Sequence, residues 1–432
     1  MQNENINLEI NPQNQKPYQT KANCMLVFEH DERLSGVIAY NELLDKKVIM
    51  GSTPWERNGT EITDVDMQHI YLIFEEYGLT VEHNIDAALT IYAYRHKFHP
   101  IKTYLESLEW DGVPRLRFAL HHYLGADTSD FTYECLKLFM LGAIERTYHP
   151  GCKFEYVLCL IGEQGNGKST FLRFLAIEDD FFTDSLGNLS DPNVYRYLQG
   201  HFIVEFPEMI ATNNAKHIEE IKAFMSRQKD TYKVPYEKYP QDRLRRCVFC
   251  GTSNKMDFLP FDRTGNRRFL PILTRKNNAE VHILEDEAES RAYIKQMWAE
   301  VMQIYKSGEY KLKLTEEMEH YANDVRSQFM LEDTDAGMIK AFLDDYKSNE
   351  VCALLIAYEA MHIEGKADRR IIMEINDIMN NTITGWKKSG DTTKRFPNYG
   401  TQRYWEREKT ETDFISVTED DIIPFEQQGL DV

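Results

Sequence analysis

The sequence predicts an α/β fold with a parallel sheet, and three observations predict it. Short apolar runs alternate with helical stretches between residues 155 and 275. The first of these runs, Tyr156–Ile161, leads directly into the glycine-rich segment GEQGNGKS at residues 162–169. A helical stretch, Lys168–Leu175, leaves that segment. Strands that alternate with helices in this way are typical of a parallel sheet covered by helices.

The length of 432 residues allows about three domains at ~150 residues each. Apolar residues make up 42% and charged residues 28%, which is a globular composition. The parts that we expect are a flexible tail at 1–22, a helical N-terminal domain at 23–150, a P-loop domain at 151–330, a small domain at 334–410 and an acidic tail at 411–432.

Membrane insertion and secretion are not expected. No clean apolar run approaches the ~18 residues that a membrane-spanning helix needs, and the polar N-terminus lacks a signal sequence. The seven cysteines are scattered along the chain, which suits a reducing compartment. The sequence therefore predicts a cytoplasmic protein without membrane contact.

Helical periodicity dominates the part of the chain before the glycine-rich segment. Apolar residues recur every three or four positions in Met67–Tyr77, Ile85–Arg95 and Phe131–Arg146. Asp130 or Ser129 is placed to cap the last of these helices.

The glycine-rich segment fits the pattern G-x-x-x-x-G-K-[ST] of a phosphate-binding loop. Its glycines, Gly162, Gly165 and Gly167, let backbone N–H groups close on phosphates, and the helix N-terminus adds partial positive charge. In this pattern Lys168 reaches the β- and γ-phosphates, and Ser169, followed by Thr170, opens the helix and holds Mg²⁺. The sequence therefore predicts a site for ATP and Mg²⁺.

Two further strand ends carry polar residues that suit this chemistry. The run His201–Glu208 (HFIVEFPE) ends on Glu205 and Glu208, two carboxylates able to orient Mg²⁺ and to activate water. Which of the two activates water is left open. A later run, RRCVFCGTSN, ends on Asn254, and an asparagine there can position the attacking water.

Basic residues follow in two groups. The segment DRTGNRRF brings Arg267 and Arg268 close together, and such arginines can stabilise transition-state charge from a neighbouring subunit. Upstream, Lys222 lies on a helical face, and a strand, a turn and a second strand predict a hairpin that carries Lys233, Lys238 and Tyr239. Such a hairpin can track a phosphate backbone, although an ordinary solvated hairpin fits the spacing equally well.

Taken together, these segments resemble the virulence-associated protein E family. The matching segments, in the family's order, are HPIKTYLESLEWDGVPRL, GEQGNGKSTFLR, FFTDSLGNL, FIVEFPEM, IKAFMSRQKDTYKVPY, CVFCGTSN and DRTGNRRFLPI. Its members are P-loop ATPases of phages, pathogenicity islands and prophage-like elements, related to superfamily 3 and poxvirus-type replicative helicases. The resemblance implies an AAA+-like core, a hexameric ring and single-stranded DNA in the ring pore.

The resemblance also assigns roles by position. It implies that Lys168 and Ser169 form the Walker A pair and that Glu205 and Glu208 are the Walker B acids. Asn254 is similar to sensor 1, and Arg267 and Arg268 match paired finger arginines. The resemblance also implies that Lys222, Lys233 and the hairpin around Lys238 and Tyr239 contact DNA. A primase module is expected to be absent from this chain, so that a primase would be a separate partner.

The last domain is locally basic. From Lys366 to Lys409 there are ten Lys and Arg against six Asp and Glu, which gives a net charge of +4. An amphipathic helix, a basic turn and an aromatic hairpin resemble a winged helix, so that Lys387, Lys388 and Arg395 are candidate contacts to duplex origin DNA. Tyr399, Tyr404 and Trp405 are equally suited to form the core of the domain.

The favoured function is an ATP-dependent helicase or translocase that acts in replication of a phage or mobile element. The alternative is a nucleotide-dependent origin-binding or loading ATPase that does not unwind processively. A small-molecule P-loop kinase is disfavoured by the paired arginines and the hairpin. The net charge of -20 argues against a nucleic-acid partner only as a sum, since Lys233–Arg246, Arg263–Arg268 and Lys366–Lys409 are locally basic.

Overall fold

The computed structural model describes residues 6–186, 194–207, 221–232, 241–259, 266–330 and 334–408. The described residues divide into two compact units, of which the first holds 6–259 and 266–330 and the second holds 334–408. Among these residues, no helix is both long enough and apolar enough to cross a membrane.

The first unit begins with three helices and a small sheet. The helices are α1 (Lys21–His30), α2 (Asp64–Glu76) and α3 (Glu82–Arg95), and the strands are β1 (Ile38–Asn41), β2 (Lys46–Ile49) and β3 (Lys97–Phe98). Strand β1 lies between β2, which is antiparallel to it, and β3, which is parallel. The helical domain predicted for 23–150 also contains these three short strands, which the sequence did not reveal because strands of two to four residues leave no clear alternation.

Three more helices lead to the central sheet. They are α4 (Pro100–Glu106), α5 (Ala119–Leu124) and α6 (Asp130–Tyr148), and Ser129 caps α6 by accepting from the Thr132 N–H. The buried Arg146 of α6 donates to the carbonyls of Phe154 (2.6 Å) and Cys247 (2.8 Å). Both carbonyls come just before sheet strands, so this guanidinium fixes the points where two strands enter the sheet.

The central sheet is parallel, as the sequence predicts. Within the described residues it contains β4 (Val157–Ile161), β5 (Phe182–Thr183), β6 (Ile203–Phe206), β9 (Val248–Ser253) and β10 (Phe269–Leu273) in the spatial order β10-β4-β9-β6-β5. The strand β4 and the strand β6 are thus separated by β9. Because every pairing is parallel, the loops that follow these strands meet at one edge of the sheet.

Both faces of the sheet are buried, which explains why its strands read as continuous apolar runs. Alternate residues of β4, such as Leu158 and Leu160, pack into a core with α6, with α7 (Lys168–Leu175) and with α8 (Glu287–Ser307). The intervening residues face a second core that contains Phe224 and Phe329. The first core takes in residues from Ile101 to Ile144 as well, so it continues across residue 150 without a break.

Two more features complete the first unit. Helix α9 (Glu316–Ser327) carries the buried Arg326, whose guanidinium donates to the carbonyls of Phe269 (2.8 Å) and Arg267 (3.0 Å). Strands β7 (Lys229–Tyr232) and β8 (Gln241–Leu244) pair antiparallel, as predicted for the hairpin.

The second unit has its own core around Ile356, Ile375 and Trp405. Its helices are α10 (Thr334–Asp345), α11 (Ala353–Leu355, continued by a π-helical turn to Ala360) and α12 (Arg369–Asn381). Its strands are β11 (Glu350–Cys352), β12 (Trp386–Lys388), β13 (Lys394–Phe396), β14 (Gly400–Gln402) and β15 (Tyr404–Arg407). In the described part of this unit the antiparallel order is β11-β15-β12, and β13 pairs with β14 in a separate hairpin.

Candidate functional site

The phosphate loop lies between β4 and α7, at the sheet edge where the parallel strands end. Gly162 and Gly167 adopt φ of 154° and 76°, which favour glycine. A Cβ on Gly162 would lie 2.3 Å from the Thr274 carbonyl oxygen, and one on Gly167 would lie 2.9 Å from Ile283 Cγ2. Conformation and crowding therefore both require glycine at these two positions.

Lys168 is the first residue of α7 and is 6% exposed. Its ammonium donates to the carbonyls of Gly162 (2.8 Å) and Glu163 (2.7 Å) and to Asn254 Oδ1 (3.0 Å). Burial lowers the pKa of this ammonium below its usual range. A phosphate that replaces one of these acceptors would supply the negative charge that this buried cation lacks.

Ser169 and Thr252 converge on Glu205 from two different elements. Ser169 Oγ, on α7, donates to Glu205 Oε1 at 2.8 Å, and Thr252 Oγ1, on β9, donates to the same oxygen at 2.5 Å. The parallel register of β6 and β9 sets this geometry, since Glu205 is paired with Cys250 two residues before Thr252. Sequence reasoning missed Thr252, and its only signal was a hydroxyl near the end of a buried strand.

Glu205 is a fully buried carboxyl group. Burial is the main cause that raises its pKa, the Asp184 charge adds to the rise, and the hydrogen bonds from Thr252 and Ser169 oppose it. Its Oε2 atom has no hydrogen-bond partner among the described residues. A buried carboxylate oxygen without a partner is costly, and a cation or a bound water would satisfy it.

Asn254 follows β9, the strand that separates β4 from β6. The structure therefore brings together four of the predicted side chains, those of Lys168, Ser169, Glu205 and Asn254. The amide oxygen of Asn254 contacts the lysine directly, which places this side chain between the phosphate loop and the acidic strand. Thr170, the next residue of α7 after Ser169, is half-buried.

The residues present fit Mg²⁺. The described part of the chain holds no cluster of three or more His, Cys, Asp or Glu side chains that could bind a metal by themselves. Mg²⁺ is usually held by one or two protein oxygens together with substrate phosphates and water. The Ser169 hydroxyl and the Glu205 carboxylate, next to a phosphate loop, provide such a partial set of ligands. Bound there, the ion would neutralise phosphate charge.

A second carboxylate lies near Glu205, and sequence reasoning missed it. Strand β5 pairs with β6 so that Thr183 lies opposite Val204, which puts Asp184 beside Glu205 at the same edge. Asp184 is exposed and contributes to the raised pKa of Glu205. Its signal in the sequence was weak, since β5 has only two residues. Glu208 lies outside the described residues, so its role as a second Walker B acid stays a prediction.

Arg267 and Arg268 lie at the opposite edge of the sheet, because they come just before β10. A strand of five residues spans about 16 Å, so neither arginine reaches the phosphate loop of its own chain. Arg268 donates through Nε to Glu155 Oε2 (2.9 Å) and to Ser226 Oγ (3.0 Å). Arg267 is exposed. The sequence predicts the same role for both arginines, but Arg268 is hydrogen-bonded within its own chain and Arg267 is exposed.

Of the DNA contacts predicted in and near the hairpin, one residue is buried and three lie outside the described residues. Lys222 is 5% exposed, so its burial opposes the predicted surface contact with DNA. Lys233, Lys238 and Tyr239 lie outside the described residues.

At the base of the hairpin, Arg243 is paired with Asp45 and Arg245 with Asp230, each at 2.8 Å. Two arginines of the locally basic stretch Lys233–Arg246 are thus neutralised by aspartates of the same unit.

In the second unit, Lys387 and Lys388 on β12 and Arg395 on β13 are exposed. Trp405 is buried and donates to Asn380 Oδ1 at 3.0 Å, and Tyr399 and Tyr404 are partly buried against the same core. The aromatic residues of this unit therefore form part of its core, which is the second of the two roles that the sequence suggested for them. The basic residues lie at the surface.

Comparisons with known proteins add the following findings. A family model described as the virulence-associated protein E-like domain matches residues 105–331 of the 432, which is more than half of the chain. No curated protein matches the chain.

Solved structures of the apo NrS-1 C-terminal region (305–718) align with a TM-score of 0.46. Two of these structures share 15% and 17% sequence identity with this chain. In each comparison the alignment covers 86% of this chain and 96% of the solved chain.

Proposed function

The chain belongs to the virulence-associated protein E-like family, and from that membership we propose that it is an Mg²⁺-dependent ATPase that drives DNA translocation or unwinding during replication of a phage or mobile element. One observation carries the ATPase proposal. The phosphate-loop lysine and serine, a buried glutamate and a strand-tip asparagine are joined by hydrogen bonds of 2.8 to 3.0 Å at one sheet edge.

The roles follow from this geometry. Lys168 binds β- and γ-phosphate oxygens, and the Ser169 hydroxyl, which now donates to Glu205, would help to hold Mg²⁺ when the ion is bound. Glu205 has two oxygens for two roles: Oε1, which Ser169 contacts, would face the ion, and Oε2 accepts a proton from the attacking water, which Asn254 orients. Burial raises the pKa of Glu205 above its usual range, which makes this carboxylate a stronger proton acceptor than an exposed one.

A titration of ATP with the full chain tests the ATPase proposal. We expect Lys168→Ala to weaken ATP binding about 10- to 100-fold, because it removes a charge-assisted hydrogen bond to phosphate. Lys295→Ala, an exposed lysine on α8, is the matched control and should bind as the wild type does. Equal ATP affinity in wild type and Lys168→Ala would overturn the proposal.

We place this ATPase in an AAA+-like hexameric ring with single-stranded DNA in the pore. The first of two findings supports the AAA+-like core, and the second supports the ring. One strand separates β4 from β6, so that Asn254 stands between the phosphate loop and Glu205. The exposed Arg267 lies too far from its own phosphate loop to act there, which fits a contribution to a neighbouring subunit.

The second unit supports a further DNA contact. Its element order α10-β11-α11-α12-β12-β13-β14-β15, with the sheet order β11-β15-β12, is what we expect of a winged helix. In such a fold α12 would enter the major groove and the β13–β14 hairpin would be the wing. The exposed Lys387, Lys388 and Arg395 favour the alternative function as well, in which the ATPase positions this unit at an origin without processive unwinding.

Strand separation distinguishes the two functions. A motor should separate a forked duplex in the presence of ATP, and this activity should disappear in Lys168→Ala. A loader should bind duplex DNA without separating strands. In either case the triple change Lys387→Ala, Lys388→Ala and Arg395→Ala should weaken duplex binding and lower the salt slope by up to about 3.

A further inference from the structure

The segment that follows β10 forms a wall along one side of the phosphate loop, and we call residues 274–283 the outer wall. Thr274 donates through its backbone N–H (2.7 Å) and its hydroxyl (2.9 Å) to the carbonyl of Ile161, the last residue of β4. Further along, Ile283 lies against Gly167. The outer wall is therefore packed against the loop at both ends.

Backbone hydrogen bonds to α5 and its surroundings hold the outer wall in place. The Arg275 N–H (3.0 Å) and the side-chain amide of Asn166 (3.1 Å) both donate to the Leu124 carbonyl, so one carbonyl joins the wall to the phosphate loop. The N–H groups of Glu280 and Val281 donate to the His122 carbonyl at 3.0 and 3.1 Å. The wall is thus fixed relative to the loop before any nucleotide binds.

Two exposed polar side chains of the outer wall stand next to loop glycines. Lys276 Nζ is 3.9 Å from the position that a Cβ on Gly165 would take, and His282 Nε2 is 3.9 Å from the corresponding position on Gly167. His282 Nδ1 accepts from the Leu284 N–H at 3.3 Å, so a neutral His282 carries its proton on Nε2. Lys276 forms no ion pair with a described residue.

We propose that Lys276 is a second phosphate-binding cation of the nucleotide site and that His282 donates a hydrogen bond to an oxygen of the same nucleotide. This inference rests on the proposed ATPase function. Because the Lys276 ammonium lies 3.9 Å from the Cβ position of Gly165, a phosphate bound by the loop would lie within reach of its charge. Lys168 is buried and donates to carbonyls of the loop itself, whereas Lys276 is exposed and reaches Gly165 from the outer wall, so the two cations come from different segments.

Calorimetric titration of the full chain with Mg²⁺–ATP tests this inference. We expect Lys276→Met to weaken binding about 10-fold and to reduce its salt dependence, because one charge-assisted contact is lost. Lys276→Arg keeps the charge and should stay within about 3-fold of the wild type. His282→Ala should weaken binding about 2- to 10-fold, as the loss of one neutral hydrogen bond does.

Lys295→Met on α8 is the matched control and should bind like the wild type. Wild-type affinity in Lys276→Met, with binding lost in Lys168→Ala, would overturn this inference and leave the ATPase proposal standing. Weakened binding in Lys276→Met with an unchanged salt dependence would also overturn it. A wild-type chain that binds no ATP would overturn both proposals.

Discussion

Glu205 is the proposed proton acceptor of the reaction, and its buried carboxylate also lowers the stability of the fold. A raised pKa means that folding favours its protonated form, so at neutral pH the charged carboxylate reduces the stability of the fold. This cost is absent below the pKa of the unfolded chain, where both states are protonated, and it grows as pH rises through the folded pKa. Burial, which raises the pKa, also removes Oε2 from water, and this atom has no hydrogen-bond partner among the described residues.

We therefore expect Glu205→Gln to lower ATP hydrolysis by ~100-fold or more while it raises the free energy of unfolding at pH 7 to 8, on the order of 1 kcal/mol. The gain in stability should fade as the pH approaches about 4, because the wild-type carboxyl is then protonated in both states. Chemical denaturation across this pH range measures it. Glu309→Gln, at an exposed loop position, is the control and should show no such dependence. A Gln variant less stable than the wild type at pH 8 would contradict this account.

Sequence reasoning reached the site residues that a local pattern marks and missed those that tertiary pairing supplies. The glycine-rich segment alone identifies Lys168 and Ser169. Thr252 and Asp184 contact or approach Glu205 only because strands distant in sequence pair in a particular register. Lys222 shows the opposite error, since a lysine on a helical face predicts exposure and the structure buries it.

At the scale of elements, the long strands and helices were predictable from the sequence and the short strands were not. Helix α7 has the predicted bounds, Lys168–Leu175, because its apolar run is bordered by clear breaks. Strands β1, β2, β3 and β5 contain two to four residues each, too few for a period to show. The central sheet order depends on pairings that no local pattern encodes.

The junction between α5 and the outer wall offers a prediction at this scale. Gly125 ends α5 at φ 63°, and Gly308 ends α8 at φ 71°, so both carry the same conformational demand. A Cβ on Gly125 would lie 2.1 Å from the Arg275 carbonyl oxygen, whereas one on Gly308 would meet nothing within 4 Å. Substitution at these two positions therefore separates backbone strain from crowding.

We expect Gly308→Ala to cost about 1 kcal/mol, the strain of a left-handed alanine, and Gly125→Ala to cost about 1–3 kcal/mol more. Gly125→Ala should also weaken ATP binding, because the clash displaces the wall that carries Lys276. Thermal unfolding and ATP titration of the two variants measure these effects. Equal stability losses, or unchanged ATP affinity in Gly125→Ala, would show that the junction is looser than the structure indicates.

At the scale of the whole molecule, the distribution of charge matters more than its sum. The net charge of -20 coexists with exposed basic side chains in the second unit, while the arginines at the base of the β7–β8 hairpin are paired with aspartates of the first unit. From the sequence alone, these arginines form part of the locally basic stretch Lys233–Arg246. Pairing removes them from the surface available to a phosphate backbone, so DNA contacts by the described residues are expected mainly in the second unit.

Assembly gives the last prediction. If the chain forms a ring, a neighbour must supply the positive charge that its own Arg267 cannot bring to the phosphate loop. Arg267→Ala and Lys168→Ala subunits should each be inactive alone, and an equal mixture should recover activity at about a quarter of the interfaces, those that pair an intact loop with an intact arginine.

Arg268→Ala provides the matched comparison in this experiment. Its guanidinium is engaged with Glu155 and Ser226 of its own chain, so we expect its loss to reduce stability and its mixture with Lys168→Ala to show no specific recovery. Recovery with Arg268→Ala but not with Arg267→Ala would reverse the assignment of the finger. Absence of recovery with either variant would remove the argument for a residue donated between subunits, and with it the main structural reason to expect a ring.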